Sequence, residues 1–414
     1  MIIMNKITRC RYYIESLCMY DIREDELIQA LFKLLKEADA ESVLANQSRF
    51  FTLVSKHGGL KRYISKRILS FDNEFTRSAS AGEIDKLSPS IISGVKADLN
   101  KLEEISSITA DDIISSVSDS ELRQVLKTIP CWQTGEAIPP LTDNWQDSID
   151  ELAHYHKSNG YGMYSINIAF TWRDKKICPV NSIDTITLDD LKNYTDQRNR
   201  VIENTESFLA GHPANNVLLY GDRGTGKSST VHALLNEYHN RGLRMIEIPK
   251  SAVSDLTLIR EQLAGSPMKF IIFIDDLSFD SNDNSFGELK AALEGSLSGR
   301  LPNILIYATS NRRHLIRESF SDRENDINKN DIMQEQLSLS DRFGLSITFI
   351  NPNKQEYLDI VTKIASDRGL DELDNERLCA MAERWATRRG GRSPRCAKQF
   401  VDYVESCHKQ GNEW

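Results

Sequence analysis

From about residue 217 the apolar positions fall into short unbroken runs separated by longer stretches with helical spacing. The runs are Val217 to Tyr220, Leu243 to Ile248, Phe270 to Asp275, Asn303 to Ala308 and Leu345 to Ile350, and Ser228 to Arg241 and Phe286 to Leu297 are among the helical stretches between them. Near-continuous Val, Ile, Leu and Phe runs are what parallel strands covered on both faces require. Their regular alternation with helices is the pattern of a doubly wound α/β domain, here with a five-stranded parallel sheet between helices. After Pro352 the strand pattern stops, and amphipathic spacing predicts three helices at about 354–367, 374–389 and 393–408, a small helical C-terminal piece.

The first 125 residues read as mainly helical, with Leu27, Ala30, Leu31, Leu34 and Leu35 forming one apolar face and Ser- and Asp-rich breaks at 70–90 and 105–120. A loop with Gly135, Pro139 and Pro140 ends this region, and a helical stretch from Trp145 to Lys157 leads into the aromatic segment Gly160 to Trp172. The expected organisation is a mainly helical N-terminal domain at 1–140, a lead-in segment at 141–182, an α/β domain at 183–350 and a helical lid at 351–414.

Composition narrows the class. With 414 residues, 40% of them apolar and 27% charged, the chain matches ordinary folded globular proteins and neither disordered nor collagen-like ones. Its longest apolar runs are of strand length, far short of the roughly 20 residues of a membrane span, and the N-terminus does not read as a secretion leader. A cytoplasmic location and no membrane partner are therefore expected. Seven cysteines without a C-x-x-C pair fit structural thiols in a reducing compartment. The net charge of -9 does not support binding to a phosphate backbone. Lys61, Arg62, Lys66 and Arg67 share a helical face, which reads first as a solvated surface.

The candidate chemistry begins where the first strand of the α/β region meets its helix. Gly221-Asp-Arg-Gly-Thr-Gly-Lys-Ser228 fits G-x-x-x-x-G-K-[ST] in the strand-loop-helix setting that the pattern demands. Its glycines let backbone N–H groups of the segment Gly221, Asp222, Arg223, Gly224, Thr225, Gly226, Lys227, Ser228 and Ser229 curl around phosphate oxygens, and the helix N-terminus adds partial positive charge. Lys227 would reach the β- and γ-oxygens and the Ser228 hydroxyl would ligate magnesium. The third strand ends in Asp275-Asp276. Asp275 is the candidate for magnesium, held through water, and Asp276 for polarising the attacking water; the other reading has Asp276 capping the following turn. In Thr309-Ser-Asn311, one strand later, Asn311 is a candidate to orient that water.

Two arginine positions complete the set. Arg342 precedes the last strand and is placed to point out of its own subunit into a neighbour's site, the alternative being a surface ion pair with Asp341 or another acid. Gly390-Gly-Arg-Ser-Pro-Arg395 opens the last helix with Ser393 as N-cap and Pro394 in its first turn. There Arg392 is the first choice, ahead of Arg395, for a γ-phosphate contact. The eight histidines show no zinc pattern and no G-x-S-x-G occurs, so zinc and serine-hydrolase chemistry are unsupported.

Taken in order, these five elements resemble an AAA+ P-loop ATPase over about 183–414. The Asp275-Asp276 strand end resembles that of bacterial replication initiators, and Gly391 to Arg395 resembles the lid arginine motif of Clp-type unfoldases. A closer similarity, from roughly 145 to 405, is to the bacterial family called domain of unknown function 815. It is carried by Asn215 to Ser229, Asp275 to Phe279, Ile306 to Leu315 and Leu337 to Gly344, with the lead-in strings Gly160-Tyr-Gly-Met-Tyr, Ala169-Phe-Thr-Trp172 and Asn204 to Leu209. The resemblance implies ATP and Mg2+ as ligands and a homo-oligomer. The leading expectation is an ATPase that hydrolyses ATP at subunit interfaces to remodel an unknown protein partner recruited by the N-terminal domain. The alternative, favoured by Asp276 standing where a glutamate is usual, is a slow-hydrolysing nucleotide-gated switch or loader on a protein or DNA partner.

Overall fold

A computed structural model describes residues 5–36, 40–142, 144–280, 285–294, 301–311, 316–317 and 342–414. The motif stretches 312–315 and 337–341 lie outside the described residues. The chain divides into two compact units, Met1–Ile166 and Asn167–Trp414.

The first unit is helical. Its helices are α1 (Lys6–Glu15), α2 (Glu26–Lys36), α3 (Ala40–Ser55), α4 (Leu60–Leu69), α5 (Glu74–Ala81), α6 (Pro89–Ser106), α7 (Ala110–Ser116), α8 (Ser120–Leu126) and α9 (Ile149–Asn159). The polar breaks in its sequence are helix starts: the side chains of Asn73, Ser88, Thr109 and Asp119 accept the first free N–H groups of α5, α6, α7 and α8. The leucine face of α2 enters one continuous core with Phe50, Phe75, Leu99 and Trp145. Asp98, fully buried on α6, accepts N–H bonds from Cys18, Met19 and Tyr20 at 2.8, 2.6 and 3.1 Å and pairs with Lys101. These partners stabilise a charge that burial alone would penalise. In the basic face of α4, Arg67 is engaged by Asp25 while Arg62 and Lys66 are exposed to solvent.

The second unit is built on a sheet of β1 (Ala169–Arg173), β2 (Lys176–Pro179), β3 (Val217–Gly221), β4 (Leu243–Ile248), β5 (Lys269–Ile274), β7 (Ile304–Ser310) and β9 (Leu345–Phe349), ordered β2-β1-β4-β5-β7-β3-β9. The two-residue strands β6 (Phe279–Asp280) and β8 (Ile316–Arg317) pair separately. The five expected strands are mutually parallel in the order β4-β5-β7-β3-β9. Successive residues of β5 from Phe270 to Ile274 are all fully buried, which explains their unbroken apolar run. One face packs on α10 (Thr195–Leu209) and α11 (Lys227–Tyr238) through Val201, Phe208, Val231 and Leu234; α12 (Leu256–Leu263) and α13 (Ser285–Glu294) follow β4 and β5. A mostly parallel sheet with β3, the strand before the glycine-rich loop, between β7 and β9 is the α/β arrangement that the sequence predicts.

Two further strands extend the sheet beyond the five. β1 pairs parallel to β4, and β2 returns antiparallel through a turn whose residues Asp174 and Lys175 have φ of 51° and 57°. A two-residue turn with both φ positive matches the twist of a hairpin, and it is usually signalled by Asn-Gly or Asp-Gly, not Asp-Lys. Within the sheet, at the start of β3 and along β7, Asn204 bonds to both Asn215 and the Tyr307 hydroxyl, and Asn216 Oδ1 accepts from Ile306 N–H. The strings around 204 and 215 therefore brace the sheet.

The chain leaves β9 into α14 (Lys354–Asp367), α15 (Asn375–Arg388) and α16 (Pro394–Lys409), which enclose a separate core of Tyr357, Val361, Leu378, Ala382, Phe400 and Val404. Asn353, Asp374 and Ser393 cap the three helices, as their sequence positions require. No helix among the described residues is long and apolar enough to cross a membrane.

Burial gives the first unit a titrating element. His156 on α9 is fully buried, its Nδ1 is 2.8 Å from the Gly160 carbonyl, and its Nε2 has no hydrogen-bond partner among the described residues. Desolvation lowers its pKa to about 4 from an ordinary value of 6.5. Between those values the unfolded chain binds the proton and the folded one does not, so stability falls as pH falls through this window, by about 1.4 kcal/mol per pH unit. Denaturant titrations at pH 7 and pH 4.5 should show a smaller acid-induced loss in His156→Gln than in the wild type. Equal losses would remove His156 as the cause.

Candidate functional site

The phosphate loop is fixed by a steric constraint at its first residue. Gly221 ends β3 with φ 128°, and a Cβ there would lie 2.0 Å from the carbonyl oxygen of Phe349 on the paired strand β9. That same oxygen accepts the Asp222 N–H at 2.8 Å. Gly224 and Gly226 follow with φ of 76° and 92°, the Thr225 hydroxyl closes the turn on the Asp222 carbonyl, and α11 begins at Lys227. The loop thereby presents backbone N–H groups at the start of a twelve-residue helix, a setting suited to anions. Arg223 and Ser229 line the cavity beside it.

Lys227 is buried, and its Nζ donates to Gly221 O at 3.1 Å, Asp222 O at 2.6 Å and Asn311 Oδ1 at 3.2 Å. Burial lowers its pKa, while Asp222, Asp275 and Asp276 oppose that shift. Asn311, just past β7, also donates through Nδ2 to Asp276 Oδ1 at 2.6 Å. Lys227, Asn311 and Asp276 are therefore linked in series. Alongside, Ser228 Oγ donates to Asp275 Oδ1 at 2.6 Å and the Thr309 hydroxyl donates to the same oxygen. Thr309 also accepts the Asp276 N–H at 2.9 Å through its hydroxyl. Asp276 itself sits at φ 51°, an uncommon conformation for a residue with a side chain. Thr309 is the residue that sequence reasoning passed over, although it opens the Thr309-Ser-Asn311 string.

These groups open onto a cavity of about 1030 Å³. Its lining joins the phosphate loop and the acidic strand ends to Ile186 and Leu191 from the segment before α10 and Ile360 and Ile364 from the lid, with charged neighbours such as Asp190, Arg368 and Lys398. The segment 184–194 carries neither period nor motif, and its residues Asn193 and Tyr194 have φ of 68° and 58°, so nothing in the sequence marked it. Lys192 in this segment pairs with Asp367 of the lid at 2.6 Å.

The lid arginines are placed differently from expectation. Arg392 forms a two-pronged ion pair with Glu383 on α15, at 2.6 and 3.1 Å, and does not line the cavity. Arg395 does line it, and its backbone N–H donates to Gly224 O at 3.1 Å. Arg342 lies in the turn before β9, half-buried, and is not among the described residues that line the cavity.

Ser228 and Asp275 offer a hydroxyl and a carboxylate side by side, oxygen ligands of the kind Mg2+ takes. Among the described residues no group of three or more His, Cys, Asp or Glu forms an all-protein metal cage. The donor set thus fits an ion that completes its shell with phosphate oxygens and water.

A family model described as "Protein of unknown function (DUF815)" matches residues 165–408. The chain belongs to the DUF815 family. No curated protein matches it in sequence. Among solved structures, the DUF815 chain is similar to the RuvB Holliday junction branch migration motor of Thermotoga maritima, at 17% identity and TM-score 0.37 over 55% of this chain and 67% of that one. A single-site mutant of RuvB gives 16% identity and TM-score 0.39 over the same shares. These likenesses concern the fold alone.

Two glycines of this DUF815 chain separate steric from conformational effects. Gly221→Ala should lower stability by at least ~3 kcal/mol, because the new methyl meets a carbonyl oxygen as well as a strained φ. Gly211 has φ 78° with nothing within 4 Å of its added Cβ, so Gly211→Ala should lose only about 1 kcal/mol. Similar losses in urea melts of the two variants would contradict the close approach at Gly221.

Proposed function

We propose that this protein binds ATP with Mg2+ in the cavity beside the phosphate loop and hydrolyses it, in an assembly of several copies. The observation that carries this reading is the series Lys227–Asn311–Asp276 beside the Ser228–Asp275 pair, all lining one cavity. When bound, Mg2+ would neutralise phosphate charge next to Ser228 and Asp275. Lys227 attracts negative charge on the β- and γ-oxygens, and its low-dielectric setting strengthens that attraction. Asn311 orients the attacking water and Asp276 accepts its proton. The placement of the two lid arginines supports Arg395 over Arg392 for the γ-phosphate. The side chains of Ile186, Leu191, Ile360 and Ile364 in the cavity lining suit the faces of a nucleobase.

Arg342 is assigned to the neighbouring copy's site, where a guanidinium would stabilise charge on the transferring phosphoryl group. The work of the cycle is to remodel a protein partner held by residues 1–140. A slower, switch-like cycle is the second reading, supported by Asp276 being one methylene shorter than glutamate and tied to Asn311.

Two outcomes follow from these roles. Asp276→Asn should bind ATP within about threefold of wild type but hydrolyse it at least ~100-fold more slowly, since an amide cannot accept the proton; unchanged turnover in a coupled assay would move the base elsewhere. Arg342→Ala and Lys227→Ala should each be nearly inactive, and mixing them should partly restore hydrolysis, because one supplies an intact pocket and the other an intact arginine. Full activity of Arg342→Ala by itself would defeat the role in trans.

A further inference from the structure

An aspartate in a loop that cradles phosphates is electrostatically unfavourable unless its carboxylate is held elsewhere. Asp222 is exposed, is not among the described residues lining the cavity, and its Oδ2 accepts the N–H of Asn351 at 2.7 Å. Asn351 belongs to the four-residue connection between β9 and α14, the root of the lid. The carbonyl of Ile350 is the other end of that same peptide group, and it accepts the Tyr194 hydroxyl at 2.6 Å. One peptide plane is thus held at both ends by side chains.

The side chain of Ile350 is 63% exposed and anchors little, so these two bonds largely set the plane's orientation. Beyond that plane the chain enters the lid, whose α16 brings Arg395 to the cavity. Both holding residues also belong to the cavity's surroundings. Tyr194 lines the cavity and packs its ring on Phe349 at 5.1 Å. Asp222 has every polar group engaged: N–H to Phe349, carbonyl from Thr225 and Lys227, carboxylate from Asn351. The Lys227 ammonium has three donors, all used within the protein, so contact with a phosphate must release at least one of its acceptors.

We infer that Asp222 and Tyr194 are positioning residues that clamp the Ile350–Asn351 peptide and so hold the root of the lid, and with it Arg395, in place beside the phosphate loop. The effect on ATP hydrolysis rests on the ATP-binding reading; the clamp itself does not.

The test is amide hydrogen exchange on the full chain without nucleotide, reading the peptide that contains Asn351. Asp222→Ala should speed exchange there by ~10-fold or more, and Asp222→Asn, which keeps an acceptor oxygen, should stay within about threefold of wild type. Tyr194→Phe, which keeps the ring, should also raise exchange at this peptide and guards against a folding defect peculiar to Asp222→Ala. In ATP hydrolysis, Asp222→Ala should lower kcat with KM changed less than about threefold, and Asp222→Asn should recover most of kcat, as expected of a group that does not touch substrate. Unchanged exchange in both Asp222→Ala and Tyr194→Phe overturns the clamp. Raised exchange in a protein that neither binds nor hydrolyses ATP leaves the clamp standing and overturns the ATP reading instead.

Discussion

Phe349 O lies where a side chain at position 221 would begin, and it also accepts the next N–H of the chain. This close approach of β3 and β9 fixes the direction in which the phosphate loop leaves the sheet. From it follow the start of α11 at Lys227, the reach of the lysine to Asn311, and the alignment of Ser228 with Asp275. The residue after Phe349 opens the connection to the lid, so the same contact sets the base from which the lid is hung. A single steric fact therefore organises loop, acids and lid.

The electrostatics follow the packing. A buried lysine is disfavoured by desolvation, and three aspartates around Lys227 offset that loss without any of them forming a direct ion pair with it. Its donors go instead to two carbonyls and an amide, neutral acceptors that a phosphate can replace. Asp275 is held by two hydroxyls, from Ser228 and Thr309, and no cation among the described residues pairs with it, an arrangement that suits a divalent ion. The lid has a hydrophobic core separate from that of the sheet.

What the sequence made legible was what full burial imposes. The five central strands stand out because every residue of runs such as Phe270 to Ile274 is covered, and the lid helices because Asn353, Asp374 and Ser393 cap them. The phosphate loop was legible because its glycines carry positive φ. The β1–β2 hairpin was not, since its strands are short, only partly buried and joined by an Asp-Lys turn. The choice between Arg392 and Arg395 was beyond spacing: Glu383, on a different helix, takes Arg392, and the Ser393 cap turns Arg395 towards Gly224. The segment 184–194 contributes to the cavity by position, with no composition to announce it. The helical fold of the first unit was readable, but nothing in its sequence points to a ligand.

The claim on which the account rests is that Lys227 and its loop form a nucleotide site. Calorimetric titration of ATP with excess Mg2+ into the full chain tests it directly. One ATP should bind per chain, with at least a ~10-fold loss of affinity in Lys227→Ala, in which a point charge is removed while the glycine loop stays. Equal affinity in the two proteins, or no heat of binding in the wild type with its fold intact, would contradict it.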